Sequence, residues 1–179
     1  MTTKDPATLM AQQAYHEAGH AVAALAVGFT VNGIYLQGAD APMVAIDYGP
    51  AIDLFGTAEN RKVGLAAITM LLAGSAAERR LFPDLTELGD VRDLGMVQEM
   101  VQWSDWTTRA ERQAVKGWRY GPRPSRPWRE RVWAAFGQRA EAIVDRRWLK
   151  VDRLAQALLI MPQMDGETAQ KVLRNKRWH

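Results

Sequence analysis

The first regular pattern along the chain is helical. Small and apolar residues recur every three or four positions over residues 7–27, which predicts one helix that begins near Pro6 and ends at Gly28. The apolar positions form a single stripe, which consists of Ala11, Ala14, Ala18, Ala21, Val22 and Leu25. His16 and His20 fall on the opposite side of the helical wheel. We therefore expect the helix to pack through its small residues and to turn both imidazoles toward a cleft.

The pattern then alternates and becomes helical again. Two short β-like runs, 30–37 and 43–48, flank the turn-forming segment 38–42 and predict a hairpin. Further helices are predicted from a cap at Thr57 to residue 81, from a cap at Asp90 over residues 91–115, and across 128–160 and 166–175. Three prolines and two glycines exclude a regular helix over 117–127. The order predicts a mainly α fold with a small β-sheet.

The first predicted helix contains the motif H-E-x-x-H, formed by His16, Glu17 and His20. Residues four apart lie on one face of a helix, so the two imidazoles can bind the same zinc ion. Zinc lowers the pKa of water toward about 7 and polarises a carbonyl group. Glu17 projects beside the imidazoles and is the predicted general base. The alternative interpretation is a helix with two solvated histidines and an ordinary surface glutamate.

A catalytic zinc ion usually takes three protein ligands, so another residue must complete the site. Glu78 lies on the second long helix, and Asp93 lies in the first turn of the next, where the helix N-terminus favours an ionised carboxylate. Asp93 can instead bond its own helix end, as capping-box carboxylates do. Composition does not choose between these two residues, and His179 ranks behind both of them.

The order of these segments resembles the peptidase domain of FtsH, a zinc metallopeptidase attached to a membrane-bound AAA ATPase. Residues 15–21 (YHEAGHA) are similar to the zinc helix of that family, and residues 72–78 (LAGSAAE) to its GGRAAE segment. Residues 88–94 (LGDVRDL) resemble its TGAxxDL segment, and 154–173 its closing helices. The resemblance implies an FtsH-peptidase-like zincin domain, mainly helical with a small sheet. It also implies a zinc metalloendopeptidase with one Zn²⁺ per chain.

The same resemblance distributes roles among the candidate residues. It implies that Asp93 is the third zinc ligand and that Glu78 lies behind the ligands, near the zinc helix. In such sheets an exposed edge strand aligns the substrate through backbone hydrogen bonds. Our candidate for that strand is the run 43–48, with Val44, Ala45 and Ile46 at its centre. An ordinary core hairpin is the alternative interpretation of this run.

Other features of the FtsH family are absent from the sequence. Residues 33–38 have the glycine spacing of a P-loop, but Ala39 and Asp40 follow where Lys and Ser or Thr are required. No segment approaches the roughly 18 apolar residues of a membrane span, no secretion signal is evident, and cysteine is absent. We therefore expect a cytoplasmic, ATP-independent peptidase without membrane insertion. Its expected substrates are unfolded or flexible polypeptides, and a homo-oligomer stays open because family domains form hexameric rings.

The later part of the chain has a different composition. All seven tryptophans lie from Trp103 onward, and eight Arg or Lys residues stand against two Glu residues between 109 and 131. We divide the chain into a peptidase core over 1–116, with the H-E-x-x-H helix, the hairpin and the third-ligand helix, and a segment over 117–179. The Pro/Arg linker and C-terminal helices of that segment are expected to pack on the core as one domain.

Two rival functions follow from these features. The first is a zinc-bearing regulatory or adaptor module whose Arg/Trp-rich segment binds nucleic acid or a partner protein, since Arg can contact phosphates and Trp can stack on bases. We prefer the peptidase because amphipathic helices commonly bury Trp and Arg/Pro loops are commonly solvated. The second is a structural zinc protein. Structural sites are usually closed by four ligands, often Cys, and Glu17 argues against one here.

Overall fold

The computed structural model describes residues 6–36, 43–49, 60–82, 91–118 and 124–175. Over these ranges the fold is mainly helical with a small antiparallel sheet, as predicted. The helices are α1 (Pro6–Val27), α2 (Arg61–Leu81), α3 (Val91–Trp103), α4 (Arg109–Val115), α5 (Arg126–Arg146), α6 (Trp148–Ile160) and α7 (Gly166–Arg174). The strands are β1 (Thr30–Tyr35), β2 (Met43–Asp47) and β3 (Gln163–Asp165). None of the described helices is both long enough and apolar enough to cross a bilayer.

Helix α1 lies at the centre of the fold. It packs against α2, α5, α6 and the first two strands. Gly28 follows the helix with a φ of 97°, a left-handed conformation that glycine adopts without a steric penalty. The predicted apolar stripe is too narrow, because Tyr15, His16 and His20 are buried like Ala14. The helix is enclosed on several sides, so burial extends beyond the stripe.

Helices α1 and α2 approach each other through small residues. A Cβ atom added at Gly19 would lie 2.5 Å from the carbonyl oxygen of Ala73. A Cβ atom added at Gly74 would lie 2.6 Å from Nε2 of His20 and 2.8 Å from Nε2 of His16. Real Cβ atoms essentially never approach heavy atoms from elsewhere in the fold within 3.0 Å. Glycine at position 19 therefore permits the close helix contact, and glycine at position 74 leaves room beside the imidazoles.

The sheet has the strand order β2-β1-β3, and both pairs are antiparallel. The predicted hairpin of β1 and β2 is present, with Ile34 opposite Val44. Strand β3 was not predicted, since it contains only three residues, and it pairs with β1 through Gly33 opposite Asp165. Within the described ranges β2 pairs with β1 alone, so β2 forms an edge of this sheet.

The helix predicted over 91–115 is in fact two helices, so that prediction was wrong. Helix α3 ends at Trp103, and α4 begins after Thr108. The hydroxyl of Thr107 donates to the carbonyl oxygen of Ser104 at 2.8 Å. Thr108 and Glu111 then form a capping box at the start of α4. Short polar side chains therefore bond the local backbone here and interrupt the helical hydrogen bonds.

The observed cap of α2 differs from the predicted one. The side chain of Asn60 accepts hydrogen bonds from the backbone amides of Lys62 and Val63, and the helix begins at the next residue. Thr57, the predicted cap, lies outside the described residues. Asp90, the predicted cap of α3, also lies outside them.

The C-terminal helices pack on the first half of the chain, α5 against α2 and α6 against α1. Trp128 is buried, and its indole N–H donates to the carbonyl oxygen of Val115 at 2.8 Å. Trp118 is buried beside it, with the ring centroids 5.1 Å apart. Of the tryptophans that the structure describes, Trp103 alone is exposed. The tryptophans at 118 and 128 therefore serve packing and leave no open ring face for a base.

Candidate metal centre

Three side chains from two helices converge on one point. His16 and His20 come from successive turns of α1, and Asp93 comes from the first turn of α3. Oδ2 of Asp93 lies 3.0 Å from Nε2 of each histidine, and the two Nε2 atoms are 2.8 Å apart. All three side chains are buried. These residues, which we term the metal-ligand group, could hold one metal ion.

The other nitrogen of each imidazole is held by helix α2. Nδ1 of His16 lies 2.9 Å from Oε1 of Glu78, and Nδ1 of His20 lies 2.9 Å from the carbonyl oxygen of Met70. A carbonyl oxygen and an ionised carboxylate only accept hydrogen bonds, so each Nδ1 carries a proton and donates it. In a neutral ring Nε2 then keeps its lone pair directed at the metal-ligand group.

The electrostatics of the group favour a cation. Burial lowers the pKa of His16, but hydrogen bonds with Asp93 and Glu78 outweigh burial and raise that pKa well above its usual value. Burial also lowers the pKa of His20, and the charge of Asp93 raises it on balance. Burial raises the pKa of Asp93, whereas the charge of His20 and hydrogen bonds from both rings lower it overall. The group therefore attracts positive charge, and a proton or a metal ion can supply it.

The donor set also fits a divalent metal ion chemically. Two imidazole nitrogens and one carboxylate oxygen lie within 3.0 Å of one another. When the rings are neutral, all three atoms present lone pairs, and none of them carries a proton to donate. Gly74 contributes the space beside these atoms, because a Cβ at that position would lie 2.6 Å from a ring nitrogen. Nitrogen and oxygen ligands of this kind suit zinc and related first-row metals. The residues present therefore fit a metal ion.

A cavity of about 210 Å³ opens onto the metal-ligand group. Since one water molecule takes about 30 Å³ of liquid volume, several waters fit in this space. One wall is formed by β2 together with Tyr48, and another by Arg92 and Met96 of α3. The lining residues are His16, Glu17, His20, Met43, Val44, Ile46, Tyr48, Met70, Leu71, Arg92, Asp93 and Met96. The group is therefore buried within the protein and still reaches a space that can admit a small molecule.

Glu17 lines this cavity but does not belong to the metal-ligand group found among the described residues. Its side chain is buried, and its charge contributes to raising the pKa of His20. One residue along a helix corresponds to a rotation of about 100°, so Glu17 lies beside the histidine face. The carboxylate of Glu17 therefore lies close to the ligands and borders the same cavity.

Glu78 and strand β2 contact the site in different ways. Glu78 contacts Nδ1 of His16 rather than the point where the Nε2 atoms meet, so it lies behind a ligand. Val44 and Ile46 line the cavity from β2, and Ala45 lies between them in the strand. His179 lies outside the described residues.

Two contributors to the site were not found from the sequence. The carbonyl oxygen of Met70 carries no side-chain signal, and only the packing of α1 on α2 brings it to His20. Tyr48 packs edge-on against Phe29, with ring centroids 5.1 Å apart. Burial and the charge of Asp93 raise the pKa of Tyr48 to about 12, so its phenol keeps the proton at neutral pH. Alternation from β2 onward places Tyr48 on the same face as Val44 and Ile46, but it does not show that this face meets the metal-ligand group.

No protein-family model and no curated protein matches this chain. The case for a function therefore depends on the residues around the cavity and on the order of the motifs along the chain.

Proposed function

We propose that the protein is a zinc-dependent, ATP-independent endopeptidase of the FtsH-peptidase type that acts on unfolded or flexible polypeptides. One observation carries the proposal. His16, His20 and Asp93 converge within 3.0 Å beside a cavity that is also lined by Glu17. A metal site that serves only structure is usually closed by four protein ligands, whereas these three ligands reach an open space.

His16, His20 and Asp93 would hold the zinc ion. Zinc bound there would act as a Lewis acid toward a carbonyl oxygen and would lower the pKa of water toward about 7. Glu78 and the carbonyl oxygen of Met70 orient the two imidazoles through their Nδ1 atoms. Such partners of metal ligands fix the tautomer and the ring orientation and increase the basicity of the ligand.

Glu17 is the proposed general base. As the water oxygen bonds to the carbonyl carbon, the carboxylate of Glu17 accepts a proton from that water, and the carbonyl π electrons move to the carbonyl oxygen. The carbonyl then re-forms, the C–N bond breaks, and the leaving nitrogen takes up the proton from Glu17. One water molecule is consumed, and one carboxyl group and one amine are produced. The buried position of Glu17 beside the ligands supports this role.

Strand β2 is the proposed substrate-alignment surface. It is an edge strand in the described sheet, and Val44 and Ile46 line the cavity. An extended peptide can add to such an edge through backbone hydrogen bonds. Only a segment that is free of its own secondary structure can bind in this way. The substrate class that fits is therefore a short peptide or an unfolded stretch of protein.

The decisive experiment is a casein digest with and without a chelator, comparing wild type with Glu17→Gln. We expect wild-type cleavage to require metal and the variant to lose activity by orders of magnitude, because Gln cannot accept the proton. The variant should keep about one zinc ion per chain by metal analysis, since Glu17 is not a ligand. Equal cleavage by both proteins would remove Glu17 as the base, and cleavage that survives the chelator would remove the zinc mechanism.

A further inference from the structure

One face of strand β2 points a row of side chains at the cavity. Residues two apart on a strand share a face, and Val44, Ile46 and Tyr48 follow that spacing. All three line the cavity that holds the metal-ligand group. The first two side chains are apolar, so the phenol is the one polar group in this row. It comes directly after the residue that ends the strand.

The surroundings of Tyr48 hold its ring and leave its hydroxyl available. The ring of Phe29 packs edge-on against it, with an interplanar angle of 72°. The Tyr48 hydroxyl forms no hydrogen bond with any residue that the structure describes. Tyr48 is partly buried, and tyrosine usually finds a hydrogen-bond partner for its hydroxyl as the ring becomes buried. A packed ring whose hydroxyl has no partner among the described residues, beside a metal-ligand group, suggests that its partner is a bound molecule.

We propose that Tyr48 is a catalytic residue whose phenolic O–H donates a hydrogen bond to the carbonyl oxygen of the scissile peptide bond. This role depends on the peptidase activity proposed above. When water adds to the carbonyl carbon, the C=O π electrons move to the oxygen, and that oxygen gains negative charge. The hydrogen bond strengthens as the charge develops, and the phenol keeps its proton throughout. The electron pair returns to re-form the carbonyl when the C–N bond breaks.

The physical basis is the placement of a donor before the charge appears. A donor held in position toward a developing oxyanion stabilises the transition state more than the ground state. The contact with Phe29 restricts rotation of the Tyr48 ring, so little reorganisation is needed during the reaction. The cavity is partly apolar, with Val44 and Met70 in its walls, and a hydrogen bond is stronger in such surroundings than in water.

The test removes one oxygen atom and keeps the ring. Tyr48→Phe retains the contact with Phe29, so its melting temperature and zinc content should match those of wild type. We expect kcat on a fluorogenic peptide to fall about 100-fold, as when a single oxyanion donor is removed, with KM changed by less than about threefold. Tyr35→Phe is the matched control, because the same atom is removed from a tyrosine of β1 outside the cavity.

A second measurement does not need turnover. A phosphinic peptide carries a tetrahedral, anionic group in place of the scissile bond, so it probes donors that favour the transition state. Calorimetry should show it binding at least about tenfold more weakly to Tyr48→Phe than to wild type or Tyr35→Phe. An uncleaved substrate peptide should bind equally well to Glu17→Gln and to the double variant that combines Glu17→Gln with Tyr48→Phe.

The outcomes separate the two proposals. If wild type cleaves in a chelator-sensitive way and Tyr48→Phe matches it in kcat and in phosphinic-peptide affinity, the role of Tyr48 is overturned and the peptidase stands. If KM rises while kcat and phosphinic-peptide affinity are unchanged, Tyr48 is a wall of the binding site and the catalytic role is again overturned. If wild type cleaves no peptide, both proposals are overturned together.

Discussion

Two regions of the molecule concentrate polar and aromatic side chains on helices, and they use them in opposite ways. In the first region, on α2 and α5, several polar side chains pair with one another. The indole N–H of Trp133 donates to Glu141 at 2.6 Å, and the guanidinium of Arg79 lies 4.1 Å from the centre of the Trp133 ring. Arg80 pairs with Asp145 and also lies over Trp148. We term these residues the Arg/Trp cluster, which joins α2 to α5 and α6.

The metal-ligand group lacks that internal balance. When both rings are neutral, its two Nε2 atoms and one carboxylate oxygen are acceptors that face one another, because the imidazole protons are donated on the far side to Glu78 and to the carbonyl oxygen of Met70. Charged side chains of the Arg/Trp cluster are partly exposed, whereas the metal-ligand group is buried. Balanced, exposed charges contribute modestly to stability, while converging buried acceptors require a partner from outside the chain. The Arg/Trp cluster therefore joins helices to one another, whereas the metal-ligand group has the character of a binding site for a cation.

The largest expected effect follows from removing a member of the metal-ligand group. Asp93→Ala should lose most of its zinc, because two imidazoles alone bind the ion poorly, and peptidase activity should fall with it. Glu78→Ala is the informative partner variant. This variant keeps all three ligands, so its affinity for zinc should fall only about 10- to 100-fold, as is typical when a group that orients a ligand is removed. Zinc titration by metal analysis measures both variants, and full zinc in Asp93→Ala with loss in Glu78→Ala would transfer the ligand role to Glu78.

Each of the two regions contains a glycine with no room for a Cβ atom. A Cβ at Gly74 would lie within 2.8 Å of both imidazoles, and a Cβ at Gly137 would lie 2.6 Å from the Trp133 ring. Both alanine variants should lose stability by about 1–3 kcal/mol through overpacking. Gly74→Ala should also lose zinc affinity, whereas Gly137→Ala should keep it. Urea denaturation and zinc titration give the two readings, and equal zinc binding by the two variants would contradict the close fit at Gly74.

The smallest effect concerns an ion pair outside both regions. Hydrogen bonds from Arg61 lower the pKa of Glu111 to about 2; burial opposes this shift, and hydrogen bonds from Thr108 add to it. Because the folded-state pKa is depressed, the pair stabilises the fold above about pH 4.3 and stops doing so as the pH falls toward 2. Glu111→Gln should therefore be less stable than wild type at pH 7 by at most about 1 kcal/mol, since Arg61 is partly exposed.

Urea denaturation at pH 7 and pH 2.5 measures this difference. We expect the difference in the free energy of unfolding between wild type and Glu111→Gln to be smaller at pH 2.5 than at pH 7. Gln can still bond the backbone of Thr108, so the capping box of α4 is largely retained. A gap of the same size at both pH values would show that the ion pair is not its source.

Much of the metal-ligand group could be predicted from the sequence, because its signals are local. The spacing of His16 and His20 fixes their common helix face. Asp93 and Glu78 were both identified as carboxylate candidates, and only the folded geometry shows which one meets the Nε2 atoms. The resemblance to FtsH had implied Asp93, and the structure brings that residue to the two histidines.

The features that were missed depend on contacts between distant segments. Strand β3 forms where Gly166 lies so close to Val31 that an added Cβ would be 1.8 Å from its carbonyl oxygen. Such a short strand has no hydrophobic period of its own. Tyr48 reaches the site because β2 pairs with β1 beside α1, and a single tyrosine after a strand gives no local signal of that. The burial of α1 on several sides was missed for the same reason, because it depends on packing against α2, α5 and α6.

The two imidazoles differ in how their supports can evolve. His16 is held by a side chain, so one codon change at position 78 removes its acceptor. His20 is held by the main-chain oxygen of residue 70, which every amino acid at that position would present. Mutation can therefore tune the first imidazole directly, while the second changes only when the backbone of α2 shifts. A library at position 78 should yield graded metal affinities, and one at position 70 should mainly reshape the cavity wall.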